Sequence, residues 1–517
     1  MTRRQKTHRQ NLASTGEPPA PDGGRIALVL TASVLFVFVA GALIDIDATE
    51  RIIGVAFKSI TRGLGAGWQA LMIANLGLGL VLALSPWGRR RLGGDGPPTM
   101  SYGPWLAVLL CTLLAGGGVF WSAAEPMFHF GAPPPHFAGT PAGTEEAARV
   151  ALAQSYLHWG FLAWAIVGTL GAIVLMVVHE RDGVPLRPRA LLRPLLGARS
   201  EHPVLGGTID AVCMLAALAG TIGPLGFLGL QLSYALERTL GIPDGYVSQV
   251  AVVGALVAVA TTSALLGIER GIAWLSRLNV VLALGLGLFV LLAGPTGALL
   301  TRFGGALGTY ALHLPAMSTY RADPGWLDFW TVFYWGWFIG YGPAMSVFVA
   351  RVSRGRTVRE IVFAVAIVAP LLTNLWFALL GGAGLDAELA APGSISTALE
   401  EGGLPAVLFA IVDVLPLSAL LLPAFILLVF AFLATSADSI AFATAMVTSS
   451  RDDPPRWLRA FWAIAMGVVA ALLLRMGEGG IKALQSFIVI TAAPVSLIMA
   501  ATLPAAILVL RRPVDAG

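Results

Sequence analysis

The stretch Trp330–Phe348, WTVFYWGWFIGYGPAMSVF, decides the fold class of this 517-residue chain. As a helix it is about as long as the ~30 Å hydrocarbon core of a bilayer, and it carries no charged side chain. It is also crowded with aromatic rings and interrupted by Gly340, Gly342 and Pro343. Backbone groups freed at membrane depth are tolerated only where protein or a water-filled cavity satisfies them. An apolar segment with a built-in interruption therefore predicts an interior helix that lines a site.

The composition extends this reading to the whole chain. Hydrophobic residues make up 56% and charged residues 12%, about half the charged share of a soluble domain. The mean hydropathy is +0.79. The formal charge is +4, but the arginines fall in short loops between apolar segments, which orients membrane helices and argues against a nucleic-acid partner. Cys111 and Cys213 lie inside apolar stretches without metal-ligand spacing.

Residues 1–24 are polar, basic and rich in Pro and Gly, and predict a disordered cytoplasmic tail. Twelve spans follow, near 26–46, 65–86, 102–130, 150–179, 207–236, 249–267, 274–294, 329–351, 360–383, 414–447, 457–475 and 481–509. Placing the N-terminus inside puts Arg89–Arg91, Arg187, Arg189, Arg193, Arg354, Arg356 and Arg359 on the cytoplasmic side. The outside loops near 131–149 and 384–404 are acidic. Residues 296–320 and 404–413 are too short or mixed for crossings and predict interfacial or packing helices, and 386–403 reads as an outside loop.

Gly116, Gly117 and Gly118 interrupt span three as Gly340, Gly342 and Pro343 interrupt span eight, five spans later. Interruptions in corresponding positions of two halves point to a transporter's binding site. Among the ionisable residues within or at the ends of spans, three are singled out. Asp438 reads as a tie between helices, Asp210 opens span five, and Glu125 precedes Pro126. His158 beside Trp159 reads as a packing residue. No HExxH or GxSxG run is present, so an enzyme is not expected.

Four motifs, FWSAAEPMFHF (120–130), YLHWGFLAW (156–164), WTVFYWGWFIGYGPAMSVFVARVSRGRTVRE (330–360) and ATSADS (434–439), together resemble the betaine/carnitine/choline transporter family over about residues 26–510. The resemblance implies an all-α membrane protein of about 12 transmembrane helices with inverted five-helix repeats, of the amino-acid and neurotransmitter sodium symporter type. Two N-terminal helices (25–101) would precede the first repeat (102–294). A periplasmic connection (295–328), the second repeat (329–510) and a short cytoplasmic end (511–517) would follow. It also implies a homotrimer in a bacterial inner membrane, both termini cytoplasmic, carrying a small onium or zwitterionic solute such as betaine, choline or carnitine by alternating access.

A trimethylammonium group has no hydrogen to donate, so it is held by the negative faces of aromatic rings. By resemblance the substrate box is Trp159, Trp164, Trp337, Phe338 and Tyr341, with Val167 where the family has a tyrosine. Phe338 and Tyr341 stand where well-known members have tryptophans. No organic cofactor is implied. The coupling ion is expected to be sodium, at Thr435, Ser436, the Phe432 carbonyl, Ser276 and Asn279. A second sodium site would fall at Ala217 and Thr221, where one of two threonines is missing, so one sodium per cycle, or protons, is expected. Two other readings are a proton-coupled or exchange carrier of a sulfonium or other non-trimethylated zwitterion, and a transport-inactive solute sensor on the same scaffold.

Overall fold

A computed structural model describes residues 23–94, 96–114, 117–266, 269–477 and 480–511. The predicted tail, Gly116 and the residues after Arg511 lie outside these, as do the side chains of Cys111 and Ser276. The described residues contain no β-strand, only an isolated bridge between Arg91 and Thr357.

The first described elements are α1 (Gly23–Ile44) and α2 (Ile46–Leu84), followed by α3 (Tyr102–Leu114) and α4 (Gly118–Gly131). Three consecutive pieces, α5 (Glu145–Trp159), α6 (Phe161–Gly168) and α7 (Leu170–Asp182), make one long segmented rod. Next come α8 (Pro203–Leu240), α9 (Tyr246–Leu266), α10 (Glu269–Ala293) and α11 (Thr296–Thr319). The second half contains α12 (Pro324–Phe329), α13 (Thr331–Val352), α14 (Val358–Phe363) and α15 (Ala369–Ala390), the last two joined by a π-helical turn at Ala364–Val368. It ends with α16 (Ser396–Val414), α17 (Ser418–Ser449), α18 (Arg456–Leu474) and α19 (Ile481–Arg511). Among the described residues nine helices are each long and apolar enough to cross a bilayer, or ten if the bent α10–α11 pair, at 109°, is one span. The chain is an all-helical, multi-pass membrane protein.

Helix α2 reaches further than its apolar run. Its first half carries Asp47, Glu50, Arg51, Lys58 and Arg62, yet Ile53, Phe57 and Thr61 recur every four residues and are buried. That spacing makes an amphipathic face, so 46–64 continues the span as helix without a break. The Asp45 side chain caps it by accepting from Ala48 N at 2.9 Å.

Three expectations are corrected. Helix α13 runs unbroken through Gly340, Gly342 and Pro343. Those glycines serve close packing: a Cβ on Gly340 would stand 3.2 Å from the Ala492 Cβ of α19, and one on Gly342 2.8 Å from the Met499 methyl. The backbone departs from the helix instead at Trp330, φ −110 and ψ −88, between α12 and α13. Span four, for which no interruption was singled out, is broken at Gly160 (φ −97, ψ −138) and at Thr169 (φ −101, ψ −84). The polar run 386–403 is mostly helical: α15 extends to Ala390 and α16 starts at Ser396. The Glu388 carboxylate organises the turn between them, accepting from Gly393 N, Ile395 N and Ser396 N at 2.7 to 3.0 Å.

The apolar interior is formed where α13 packs against α19, α6 and α7, with α8 crossing behind them. Two buried ion pairs hold the bundle. Arg189 grips Asp210 of α8 through Nε (2.8 Å) and Nη2 (2.6 Å), and Arg459 of α18 reaches Asp438 of α17 at 3.4 Å. Asp438 thus ties two helices together, and Asp210 is anchored by the segment preceding its own helix.

Candidate functional site

The interruption expected in span three is present at Gly117, between α3 and α4. It lies against the rings: a Cβ on Gly117 would stand 2.6 Å from Trp337 Cη2 and 3.4 Å from Trp159 Cη2. Any side chain at this position would occupy space the indoles hold. The carbonyl of Gly118, in the first turn of α4, also accepts from the Trp376 indole at 3.2 Å, which ties α15 to the start of that helix.

Trp159, the last residue of α5, meets α13 here. Its ring lies edge-to-face with Trp337 (centroids 5.8 Å, 79°) and with Phe338 (5.4 Å, 87°). Trp337 and Phe338 are 6.0 Å apart and nearly parallel at 17°. Each indole is oriented by its nitrogen: Trp337 Nε1 donates to the Gly220 carbonyl at 3.0 Å, and Trp159 Nε1 to Glu125 Oε2 at 3.1 Å. Tyr341 joins the same wall from one turn further along, its hydroxyl 3.0 Å from Thr221 Oγ1. Gly220 makes room for it, since a Cβ there would stand 2.5 Å from Tyr341 Cδ2. The structure therefore brings together Trp159, Trp337 and Phe338, with Tyr341 adjoining. Trp164 is buried on α6 but makes no ring contact with them among the described residues.

A cation held by two rings lies within about 6 Å of each centroid, with its own bulk between them. Trp159 and Trp337 touch directly at 5.8 Å. At that separation no group of trimethylammonium size fits between the two rings.

Residues beyond the sequence expectation complete this wall. Tyr334 stands 5.5 Å from Trp159 and stacks on His158 at 4.7 Å, and Phe377 of α15 lies 5.4 Å from Trp159. His158, expected as a packing residue, belongs to a polar cluster: Nδ1 is 2.6 Å from Glu125 Oε1, and Nε2 is 2.9 Å from Thr331 Oγ1. The i, i+4 spacing of Glu125 and His129 was readable in sequence. Their meeting with His158, 33 residues on, depends on the turn between α4 and α5.

The expected ion site lies between α10 and α17. Asn279 Nδ2 donates to Thr435 Oγ1 at 3.0 Å, and the Thr435 hydroxyl is 2.9 Å from the carbonyls of Ala431 and Phe432. Ser436 follows on α17, half-buried. Asn279 Oδ1 is buried without a hydrogen-bond partner, an oxygen lone pair available beside the hydroxyl. Turning the Asn279 amide over, so that Oδ1 rather than Nδ2 faces Thr435, would give a set of oxygens suited to a hard monovalent cation. At the second location the Thr221 hydroxyl is taken up by Tyr341 and by the Ala217 carbonyl at 3.2 Å, and Ala217 offers no side-chain oxygen.

A multi-pass helical bundle with an interrupted helix aimed at a buried ring cluster is the architecture of a membrane carrier. The profile of the betaine/carnitine/choline family transporters (BCCT) matches residues 26–514, and the chain belongs to that family. It is 46% identical over 470 residues to glycine betaine transporter 2 of Vibrio parahaemolyticus, covering 91% of this chain and 87% of the relative. It is 32% identical over 487 residues to the glycine betaine transporter OpuD of Bacillus subtilis, covering 92% and 91%. The ectoine/hydroxyectoine transporter of Virgibacillus pantothenticus is 32% identical over 426 residues, covering 81% and 83%. These relatives are named as transporters, not enzymes.

Proposed function

We propose that the protein imports a quaternary-ammonium solute of the glycine betaine class, coupled to sodium, by alternating access across a bacterial inner membrane. The observation that carries this reading is the junction of Trp159, Trp337 and Phe338 over the Gly117 interruption. Three rings with mutual centroid separations of 5.4 to 6.0 Å offer π-faces and no formal positive charge, the environment a fixed cation without N–H donors prefers. Each ring face contributes about 0.5 to 2 kcal/mol, depending on desolvation. Parting the rings admits the solute from one side, and closing them behind it allows release on the other. Sodium held by Thr435, Ser436 and Asn279 would favour the solute-accepting arrangement by linking α10 to α17. The pairing of Asn279 with Thr435, against the lone Thr221 at the second location, supports a single coupled sodium. We further propose twelve crossings arranged as inverted five-helix repeats, a homotrimer, and both termini in the cytoplasm.

A second reading has one specific support. Val167 leaves the cage without the ring expected after Trp164, and an ectoine/hydroxyectoine transporter is among the relatives. A cyclic zwitterion lacking three methyl groups needs fewer ring faces. Uptake of labelled glycine betaine, choline, carnitine and ectoine into cells lacking their own carriers, with and without sodium, tests both. Sodium-dependent betaine uptake is the expected result; transport of ectoine alone would replace the first reading with the second, and uptake of none would refute both.

A further inference from the structure

Next to the ring box along α4 and α5 lies a group of ionisable side chains, joined to it by the Glu125–Trp159 hydrogen bond and the stacking of His158 on Tyr334. Glu125 and His129 of α4 and His158 of α5 are each fully buried, and one ligating atom from each can be chosen so that all lie within 4.8 Å of one another. Glu125 Oε1 stands 2.6 Å from His158 Nδ1 and 3.7 Å from His129 Nε2. Both ring nitrogens of His129 lack any hydrogen-bond partner. A buried imidazole aimed at a carboxylate with neither nitrogen engaged has coordinating capacity that the protein does not itself satisfy. No Lys or Arg pairs with Glu125 among the described residues; the ion-pair contacts it makes are with these two imidazoles.

We propose that Glu125, His129 and His158 bind a divalent transition-metal ion of the zinc class. Two imidazoles and one carboxylate are a ligand set zinc favours, at about 2.0 to 2.2 Å from each donor. Tetrahedral bonds of that length hold neighbouring donors roughly 3.3 to 3.5 Å apart, between the 2.6 and 3.7 Å contacts present here. The three donors, all within 4.8 Å of one another, need side-chain adjustment to close around an ion. Nitrogen donors distinguish it from the oxygen-only set at Thr435 and select against sodium, magnesium and calcium.

The surrounding hydrogen bonds suit a metal. Gln154 Nε2 lies 2.8 Å from His158 Nε2, which places the ring proton on Nδ1, donated to Glu125. Coordination through Nδ1 requires the other tautomer, protonated at Nε2 and donating outward. The acceptors are in place: Thr331 Oγ1 is 2.9 Å away, and Gln154 Oε1 is buried with no partner, so turning that amide over presents an oxygen to the new N–H. Metal-ligating histidines commonly have such an outer acceptor. The second carboxylate oxygen of Glu125 remains with the Trp159 indole, so an ion here would be linked to the ring box through one side chain.

The test titrates the purified full-length protein in detergent with Co²⁺, followed by displacement with Zn²⁺. The expected result is saturable tetrahedral ligand-field absorption, lost on adding zinc. His129→Ala should weaken binding by at least about tenfold, His129→Asp should restore part of it, and His136→Ala should leave it unchanged. X-ray absorption of the zinc-loaded wild type needs no variant, and a shell with two imidazoles is expected. Absence of saturable cobalt absorption, equal affinity in His129→Ala, or a zinc shell without imidazole would overturn the proposal.

Discussion

Gly117→Ala places one methyl group against the ring box. The added Cβ would stand 2.6 Å from Trp337 Cη2, about 1 Å inside the ordinary 3.5 to 4.0 Å contact. The indole has little room to yield, because its Nε1 is fixed to the Gly220 carbonyl at 3.0 Å and Gly220 itself is crowded by Tyr341. Trp337 must therefore swing, loosening that hydrogen bond and its edge-to-face packing with Trp159. Overpacking of this kind costs about 1 to 3 kcal/mol, which corresponds to a roughly 5- to 150-fold loss of apparent solute affinity if the cost falls on the bound arrangement. Radiolabelled glycine betaine uptake in proteoliposomes reads this as a raised KM. Gly131→Ala, on the same helix with nothing within 4 Å of its added Cβ, is the control and should transport normally. An unchanged KM in Gly117→Ala would show that solute recognition does not depend on the Trp159–Trp337 junction.

Thr435→Ala should raise the half-saturating sodium concentration for uptake, with no cooperativity in sodium before or after the change; full uptake in sodium-free medium at constant pH would refute the coupling. Phe338→Trp should tighten binding of trimethylammonium solutes by about 0.5 to 1 kcal/mol, read by thermal shift against glycine betaine and ectoine, and equal gains for both would argue against a cation–π origin. Asp210→Asn leaves the buried Arg189 guanidinium without its counter-charge and should cost about 3 to 5 kcal/mol of stability, seen as a lower Tm in detergent; an unchanged Tm would remove the pair from the bundle's supports. His136, in the loop after α4, is held down to about 4 by burial and, secondarily, by the neighbouring His158. With its folded pKa below the ordinary 6.5, its neutral form favours folding; that stability is fully present above about 6.5 and declines as pH falls toward about 4. His136→Gln should flatten the fall in Tm across that window, and an unaltered slope would exclude His136 as its source.

Composition and loop charge made the multi-pass helical class legible, because lipid imposes its demands on nearly every residue of a span. Of the rings singled out in the sequence, Trp159, Trp337 and Phe338 meet in the structure, whereas Trp164 makes no ring contact with them among the described residues. Interruptions were harder to read. Glycine at Gly117 marks a break, whereas at Gly340 and Gly342 it marks helices in close contact, and nothing local separates the two uses. At Thr169, directly after Gly168, the hydroxyl bonds the Ala165 carbonyl at 2.6 Å and Asn75 of α2 at 3.1 Å, a partner 94 residues away that no local pattern announces. The Glu125–His129–His158 cluster was unreadable for the same reason: half of it depends on a chain reversal.

The uninterrupted course of α2 has a mechanical consequence. Thirty-nine residues of α-helix measure about 58 Å, nearly twice the hydrocarbon thickness. Its charged first half therefore extends past or along the membrane surface while its second half crosses the membrane. Since no hinge separates them, the slope of the exposed half is set by the tilt of the embedded one. A bilayer that thins or thickens would turn this rod as a lever, and the Thr169–Asn75 hydrogen bond is where its motion would reach the segmented helix beside the rings.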